Sequence, residues 1–188
     1  MSFILEYIKH PRKIGAVAPS NRCLSRKMMQ PLDFSLADVI VEYGPGTGSF
    51  TSELIAGRKP DTELILIEQN EHFCRQLEAK YGSMKNVHIV HGNAENVGTY
   101  LKQYGFDHAD YIISGLPFTT LPRGVSDSIL TATNKALGEN GRFITFQYSL
   151  VKRRFFQRYF SITDYLREVR NLPPAYVLVM KNRSEIYV

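Results

Sequence analysis

An α/β fold on a mostly parallel, doubly wound, Rossmann-like sheet with helices on both faces is what this chain predicts, and three observations carry the prediction. Val39 to Thr51 reads Val-Ile-Val-Glu-Tyr-Gly-Pro-Gly-Thr-Gly-Ser-Phe-Thr: an apolar strand, a turn with glycines at 44, 46 and 48, then the start of a helix. Such a turn lets backbone pass close to a ligand beyond the carboxyl end of the strand. From Asp38 onward, short apolar runs alternate with amphipathic segments of helical length through short loops, as parallel strands with crossover helices require. Finally, Pro173-Pro174 comes so soon before a last apolar run that no crossover fits. That last strand is therefore expected to lie antiparallel in the same sheet.

The elements follow in order. Phe3, Ile4, Tyr7 and Ile8 predict one apolar face on a short helix over residues 2–10, ended by Pro11. Pro19-Ser20 opens a second helix over 21–30, stopped by Pro31. Strands are expected at 38–44, 63–68, 87–91, 109–114, 142–148, near 165–169 and at 175–181, which makes a seven-stranded sheet. Helices are expected at 49–56, capped by Ser49, and at 71–81, 95–104 and 126–137. Gly138 and Gly141 punctuate the entry to the fifth strand. The expected organisation is one domain over residues 1–188, with 1–32 as a basic amphipathic helical extension.

Composition narrows the class. The chain has 188 residues, 44% hydrophobic and 22% charged, with no apolar run near the roughly 20 residues that span a bilayer. Glu6 and Lys9 interrupt the amino-terminal apolar stretch and no small-residue cleavage site follows, so no signal peptide is expected and the expected location is the cytoplasm. Cys23 and Cys74 lack metal-like spacing, and His88 and His91, three apart on a strand, point to opposite faces. No metal site is expected.

Charge is unevenly spread. Six Lys or Arg residues (Lys9, Arg12, Lys13, Arg22, Arg26 and Lys27) and no acid lie between Tyr7 and Leu32, and Lys152, Arg153, Arg154 and Arg158 form a second cluster. A segment of one sign favours an anionic partner, either lipid headgroups or RNA phosphates. With Phe3 and Tyr7 on an apolar face and Lys9, Arg12 and Lys13 beside it, the amino terminus has the composition of an interfacial membrane anchor. The alternative is a helix that packs on the sheet or closes the ligand site.

The glycine turn narrows the ligand. A dinucleotide fingerprint needs glycine at 49, where Ser49 stands, and a P-loop needs Gly-Lys-Ser/Thr, which is absent. Glu68 ends the second strand about twenty residues further on, where a carboxylate accepts from a ribose diol. The spacing Glu-x-Gly-x-Gly-x-Gly, from Glu42 to Gly48, resembles motif I of the class I S-adenosylmethionine-dependent methyltransferases. That resemblance implies S-adenosylmethionine as cofactor, with Gly44, Gly46 and Gly48 against its methionyl and ribose parts. It further implies Glu68 on the ribose hydroxyls, Asn93 and Ala94 at the adenine, Glu42 at the amino end and the Ser114 backbone beside it. Asn93 departs from the usual Asp, but an amide offers adenine both a donor and an acceptor.

The stretch Ser114-Gly115-Leu116-Pro117-Phe118 bears on the substrate. The rRNA adenine dimethyltransferases share this style of motif I and carry Asn-Leu-Pro-Tyr at the matching place. Gly115 stands where their Asn would accept from an exocyclic amine, while Phe118 keeps an aromatic wall. Residues 11–20, 114–117, Phe146-x-Tyr148 and 171–175 resemble the bacterial phospholipid N-methyltransferases, nearly end to end. By that resemblance the chain methylates phosphatidylethanolamine-type lipids as a peripheral protein on the inner face of the cell membrane. Gly115, Leu116, Pro117 and Phe118 would then line the substrate slot, and Tyr148 would orient the amine or shelter a methylated cation. RNA adenine methylation, a small-molecule amine acceptor and a SAM-binding adaptor without turnover remain alternatives, and the oligomeric state is not legible.

Overall fold

The computed structural model describes residues 20–118, 120–151, 153–171 and 173–183. The helix expected over 2–10 lies outside them. The described chain begins with α1 (Ser20–Met29) and then alternates β1 (Val39–Tyr43), α2 (Ser49–Gly57), β2 (Glu63–Glu68), α3 (Glu71–Tyr81) and β3 (Val87–His91). A 3-10 turn at Ala94–Asn96 leads into α4 (Val97–Gln103), followed by β4 (Ala109–Ser114), α5 (Arg123–Ala136) and β5 (Leu137–Gln147). The short α6 (Arg153–Phe156) precedes the hairpin of β6 (Phe160–Glu168) and β7 (Ala175–Asn182).

These strands form one seven-stranded sheet in the order β3-β2-β1-β4-β5-β7-β6. The first five are parallel, and β7 inserts antiparallel between β5 and β6. Strand order reverses direction between β1 and β4, which leaves a crevice beyond their carboxyl ends. All five residues of β1 are buried, as are the last five of β2. Strands covered on both faces read as unbroken apolar runs, which is why their positions were plain in the sequence.

Two apolar layers cover the sheet. On one face, Leu24 and Met28 of α1, Leu54 of α2 and Leu77 of α3 pack on Ile40, Leu64, Leu66, Ile113 and Ile144. On the other, Val97 and Leu101 of α4 and Ile129 and Leu130 of α5 meet Val41, Ile65, Ile67, Ile112 and Phe143. The described part of the basic amino-terminal segment is thus built into a core layer. Tyr43 crosses to α5, where its hydroxyl lies 3.2 Å from Thr133 Oγ1.

Four local expectations need correction. Gly48, in the left-handed region at φ 87°, occupies the cap position of α2, and Ser49 is already helical. Helix α5 starts three residues early, at Arg123, because Pro122 is preset for a helix entrance. Strand β5 starts at Leu137, five residues before the expected 142, and β4 pairs with it across an irregularity. Ala109 faces Leu137 and Tyr111 faces Arg142, so residues 138–141 bulge out of the strand. A Cβ on Gly141 would lie 3.0 Å from the Ala109 carbonyl and from Gly138 backbone, so a larger residue here would have to push this bulge apart. Strand β6 likewise begins earlier than the expected 165, at Phe160, whose ring is buried against Phe143.

Candidate active site

The glycine turn is pinned from both sides. Gly44 N–H donates to the Ile67 carbonyl of β2 (2.9 Å), and Gly115 N–H donates to the Tyr43 carbonyl of β1 (3.0 Å). Each bond extends its parallel ladder by one step, holding the turn after β1 between the ends of β2 and β4. Gly44, Gly46 and Gly48 all have positive φ, at 62°, 55° and 87°. A Cβ on Gly44 would meet Leu116 Cδ2 at 2.8 Å, whereas one on Gly46 would enter open space. Open space in front of Gly46 is where a ligand can reach the backbone.

Glu68 borders that space. Its Oε2 accepts from Gly46 N–H (3.0 Å) and its Oε1 from Asn70 N–H (2.8 Å), while the residue is only 3% exposed. A carboxylate has about four acceptor sites, so two remain for a ribose diol. At the ends of β2 and β3, Gln69 Nε2 donates to Asn93 Oδ1 (2.7 Å), with Ala94 buried beside it. Glu42 is fully buried, and Thr51 Oγ1 donates to its Oε2 (2.7 Å), but Oε1 has no partner. Desolvation pushes its carboxyl up to about 8, against the effect of the Thr51 bond and with the help of the Glu68 charge. A cradle without Cβ atoms, a ribose acceptor and an unsatisfied buried carboxyl fit an aminoacyl nucleoside such as S-adenosylmethionine.

The loop after β4 is tightly self-bonded. Leu116 N–H donates to Ser114 Oγ (3.1 Å), Phe118 N–H to the Leu116 carbonyl (3.0 Å), and Leu121 N–H to the Pro117 carbonyl (3.1 Å). Buried Thr145 of β5 anchors the loop from beneath, donating from Oγ1 to the Ser114 carbonyl (3.2 Å). A Cβ on Gly115 would lie 3.0 Å from the Gly44 carbonyl.

A family model for ribosomal RNA adenine dimethylase matches residues 20–161, the span that holds every one of these site residues. The chain belongs to that family. The methyltransferase is also 32% identical to an ornithine lipid N-methyltransferase from Singulisphaera acidiphila, over 92% of this chain and 91% of that enzyme. It is 29% identical to ribosomal RNA small subunit methyltransferase A from Borreliella burgdorferi, over 63% of this chain but only 40% of that enzyme. Among solved structures, the N-methyltransferase NodS from Bradyrhizobium japonicum, in complex with S-adenosyl-L-homocysteine, superposes with a TM-score of 0.70. It covers 96% of this chain and 97% of its own at 12% identity, so that likeness speaks for the fold. The protein is a class I SAM-dependent methyltransferase.

Of the expected site residues, Glu42, Gly44, Gly46, Gly48, Glu68, Asn93, Ala94, Ser114, Gly115, Leu116 and Pro117 converge on the carboxyl ends of β1 to β4. Phe118 does not join them. It is 3% exposed and packs edge-on against Phe143 at 6.1 Å and Phe156 at 5.6 Å, so its ring is part of the core beneath the loop. Tyr148 follows β5, 44% exposed and edge-on to Phe146 at 5.6 Å. Phe3, Tyr7, Lys9, Arg12 and Lys13, expected at a membrane, lie outside the described residues, as does Lys152. Within the second basic cluster, Arg158 is exposed but already paired, 2.8 Å from Asp127 and over the Phe155 ring. Sequence reasoning passed over Thr51 and Thr145. Strand alternation could have found Thr145, and the first-turn position of Thr51, nine residues after Glu42, could have found the other.

Proposed function

We propose that this methyltransferase methylates the primary amine of a membrane-lipid headgroup, of the phosphatidylethanolamine or ornithine-lipid kind, on the inner face of the cell membrane. The observation that carries the reading is the match to an ornithine lipid N-methyltransferase along 92% of this chain and 91% of that enzyme. The ribosomal RNA relatives, by contrast, share 34% to 40% of their length with it. Gly115 supports the same reading. With a Cβ there only 3.0 Å from a backbone oxygen, the turn has little room for an asparagine that would take an adenine amine.

S-adenosylmethionine held there would supply an electrophilic sulfonium methyl, to whose carbon the neutral amine would donate its lone pair as the C–S electrons went to sulfur and a nitrogen proton to water. The chain's own residues bind and align. Glu68 and the glycine turn hold the nucleoside, and the Thr145-anchored loop fixes one wall of the slot. Alignment of this sort supplies effective molarities on the order of 10⁵ M or more.

Docking on the bilayer is supported by the basic, acid-free stretch between Tyr7 and Leu32. Val151, 86% exposed beside exposed Arg153 and Arg154, adds an apolar point flanked by cations at the end of the sheet that holds the site. Among the described residues, no helix is long and apolar enough to cross a membrane.

The test incubates the enzyme with labelled S-adenosylmethionine and, separately, phosphatidylethanolamine vesicles, ornithine-lipid vesicles and ribosomal RNA at matched salt. Label is expected in one or both lipids. Label confined to RNA, or cofactor binding without transfer to any lipid, would overturn the reading.

A further inference from the structure

We propose that Gln147 holds the acceptor amine: its side-chain carbonyl takes an N–H hydrogen bond from the headgroup nitrogen and so aims the lone pair. This rests on the lipid-amine reading above. Gln147 is the last residue of β5, two beyond Thr145, which pairs with Ser114 at the end of β4. By alternation it shares a face with Phe143 and Thr145. The loop after β4 comes down on that face, since Phe118 touches Phe143 edge-on at 6.1 Å. Gln147 therefore flanks the substrate side of the Ser114 to Phe118 loop.

Its burial makes the case. The residue is 4% exposed, yet its amide forms no hydrogen bond among the described residues. Nor is the amide sealed off. Among the described residues, the fully inaccessible unpartnered side-chain polar atoms are Glu42 Oε1, Ser126 Oγ and Asn182 Oδ1, so the small accessible area of Gln147 includes its amide. Leaving a buried amide unpaired costs stability, and a leucine or methionine would avoid that cost. A polar group held open at the rim of a slot has its partner in the ligand.

The chemistry suits an amine. Gly115 offers no side-chain acceptor at its own position, Ser114 Oγ is taken by Leu116 N–H, and Tyr148 falls on the opposite face with Phe146. A carboxylate in place of Gln147 would favour the protonated, unreactive ammonium, whereas a neutral carbonyl orients the free amine without that penalty. The contact also counts hydrogens. A neutral primary amine has two N–H groups and a secondary amine one, but a tertiary amine has none to give, so Gln147 assists the first two transfers and not a third.

The test compares full-length wild type, Gln147→Leu and Gln147→Asn on vesicles carrying the primary-amine lipid and its N-methyl and N,N-dimethyl counterparts. Calorimetric cofactor affinity and melting temperature are measured alongside. For Gln147→Leu, cofactor affinity is expected within about 2-fold and the melting temperature unchanged or raised, while kcat/KM on the primary amine falls roughly 10- to 100-fold. On the dimethyl lipid the loss stays under about 3-fold, and Gln147→Asn falls between. Equal losses on all three lipids, no loss on the primary amine, or a parallel loss of cofactor affinity would overturn the assignment. If wild type labels no lipid, the substrate reading falls and takes this assignment with it. If wild type labels lipid and Gln147→Leu matches it, the assignment alone falls.

Discussion

Glu42 is a carboxyl whose two oxygens have different fates: Oε2 is bound by Thr51, and Oε1 is buried without a partner. Glu68 across the β1–β2 ladder and Tyr81 on α3 are the titratable groups coupled to it. Its folded value near 8, against an ordinary 4.5, means that the folded protein holds a proton that the unfolded chain has released between those pH values. Stability of the cofactor-free protein therefore falls as pH rises through this window, by up to about 1.4 kcal/mol per unit. Melting curves from pH 5 to 8 should show that decline in wild type and a flatter profile in Glu42→Gln. Glu42 and Glu68 were legible as site residues because their spacing to the glycines is a sequence pattern. Phe118 was not, since whether an aromatic lines a slot or fills a core is set by partners distant in sequence, here Phe143 and Phe156. Gln147 was hidden between two more conspicuous aromatics.

At the scale of elements, the turn after β1 and the loop after β4 form one unit, joined through Gly115 N–H and the Tyr43 carbonyl. Glycine serves the two differently, and paired substitutions separate the roles. Gly115→Ala puts a methyl 3.0 Å from the Gly44 carbonyl, so the loop must shift; chemical denaturation should register a loss of about 1–3 kcal/mol. Gly46→Ala meets open space but keeps an unfavourable φ of 55°, so it should cost about 1–2 kcal/mol while sharply weakening S-adenosylhomocysteine binding, read by calorimetry. Loss of cofactor affinity for Gly115→Ala alone would contradict this division. Strands β2, β3 and β4 were legible to the residue, and β1 within one, because buried parallel strands are continuous apolar runs bounded by polar turns. The start of β5 was not. Gly138-Glu-Asn-Gly141 has the composition of a turn, and only the Ala109 carbonyl beside it shows that it is a bulge within a strand.

For the molecule as a whole, β1 and β4 lie at the centre of the sheet, under helices on both faces, and β6 lies at an outer edge with exposed residues at 163–165 and an irregular register near Asp164. Hydrogen exchange should therefore be slowest in β1 and β4 and fastest among the strands in β6. Equal protection across the sheet would show that opening is global. The order of the last three strands has a consequence in time. Residues 175–182 are the last of the described strands in chain order, yet they sit between β5 and β6 and supply the backbone partners of both. Until β7 is made, β5 has no partner on that side, and an unpaired edge is the kind on which a strand of another chain can add, so β7 both completes the sheet and closes that edge.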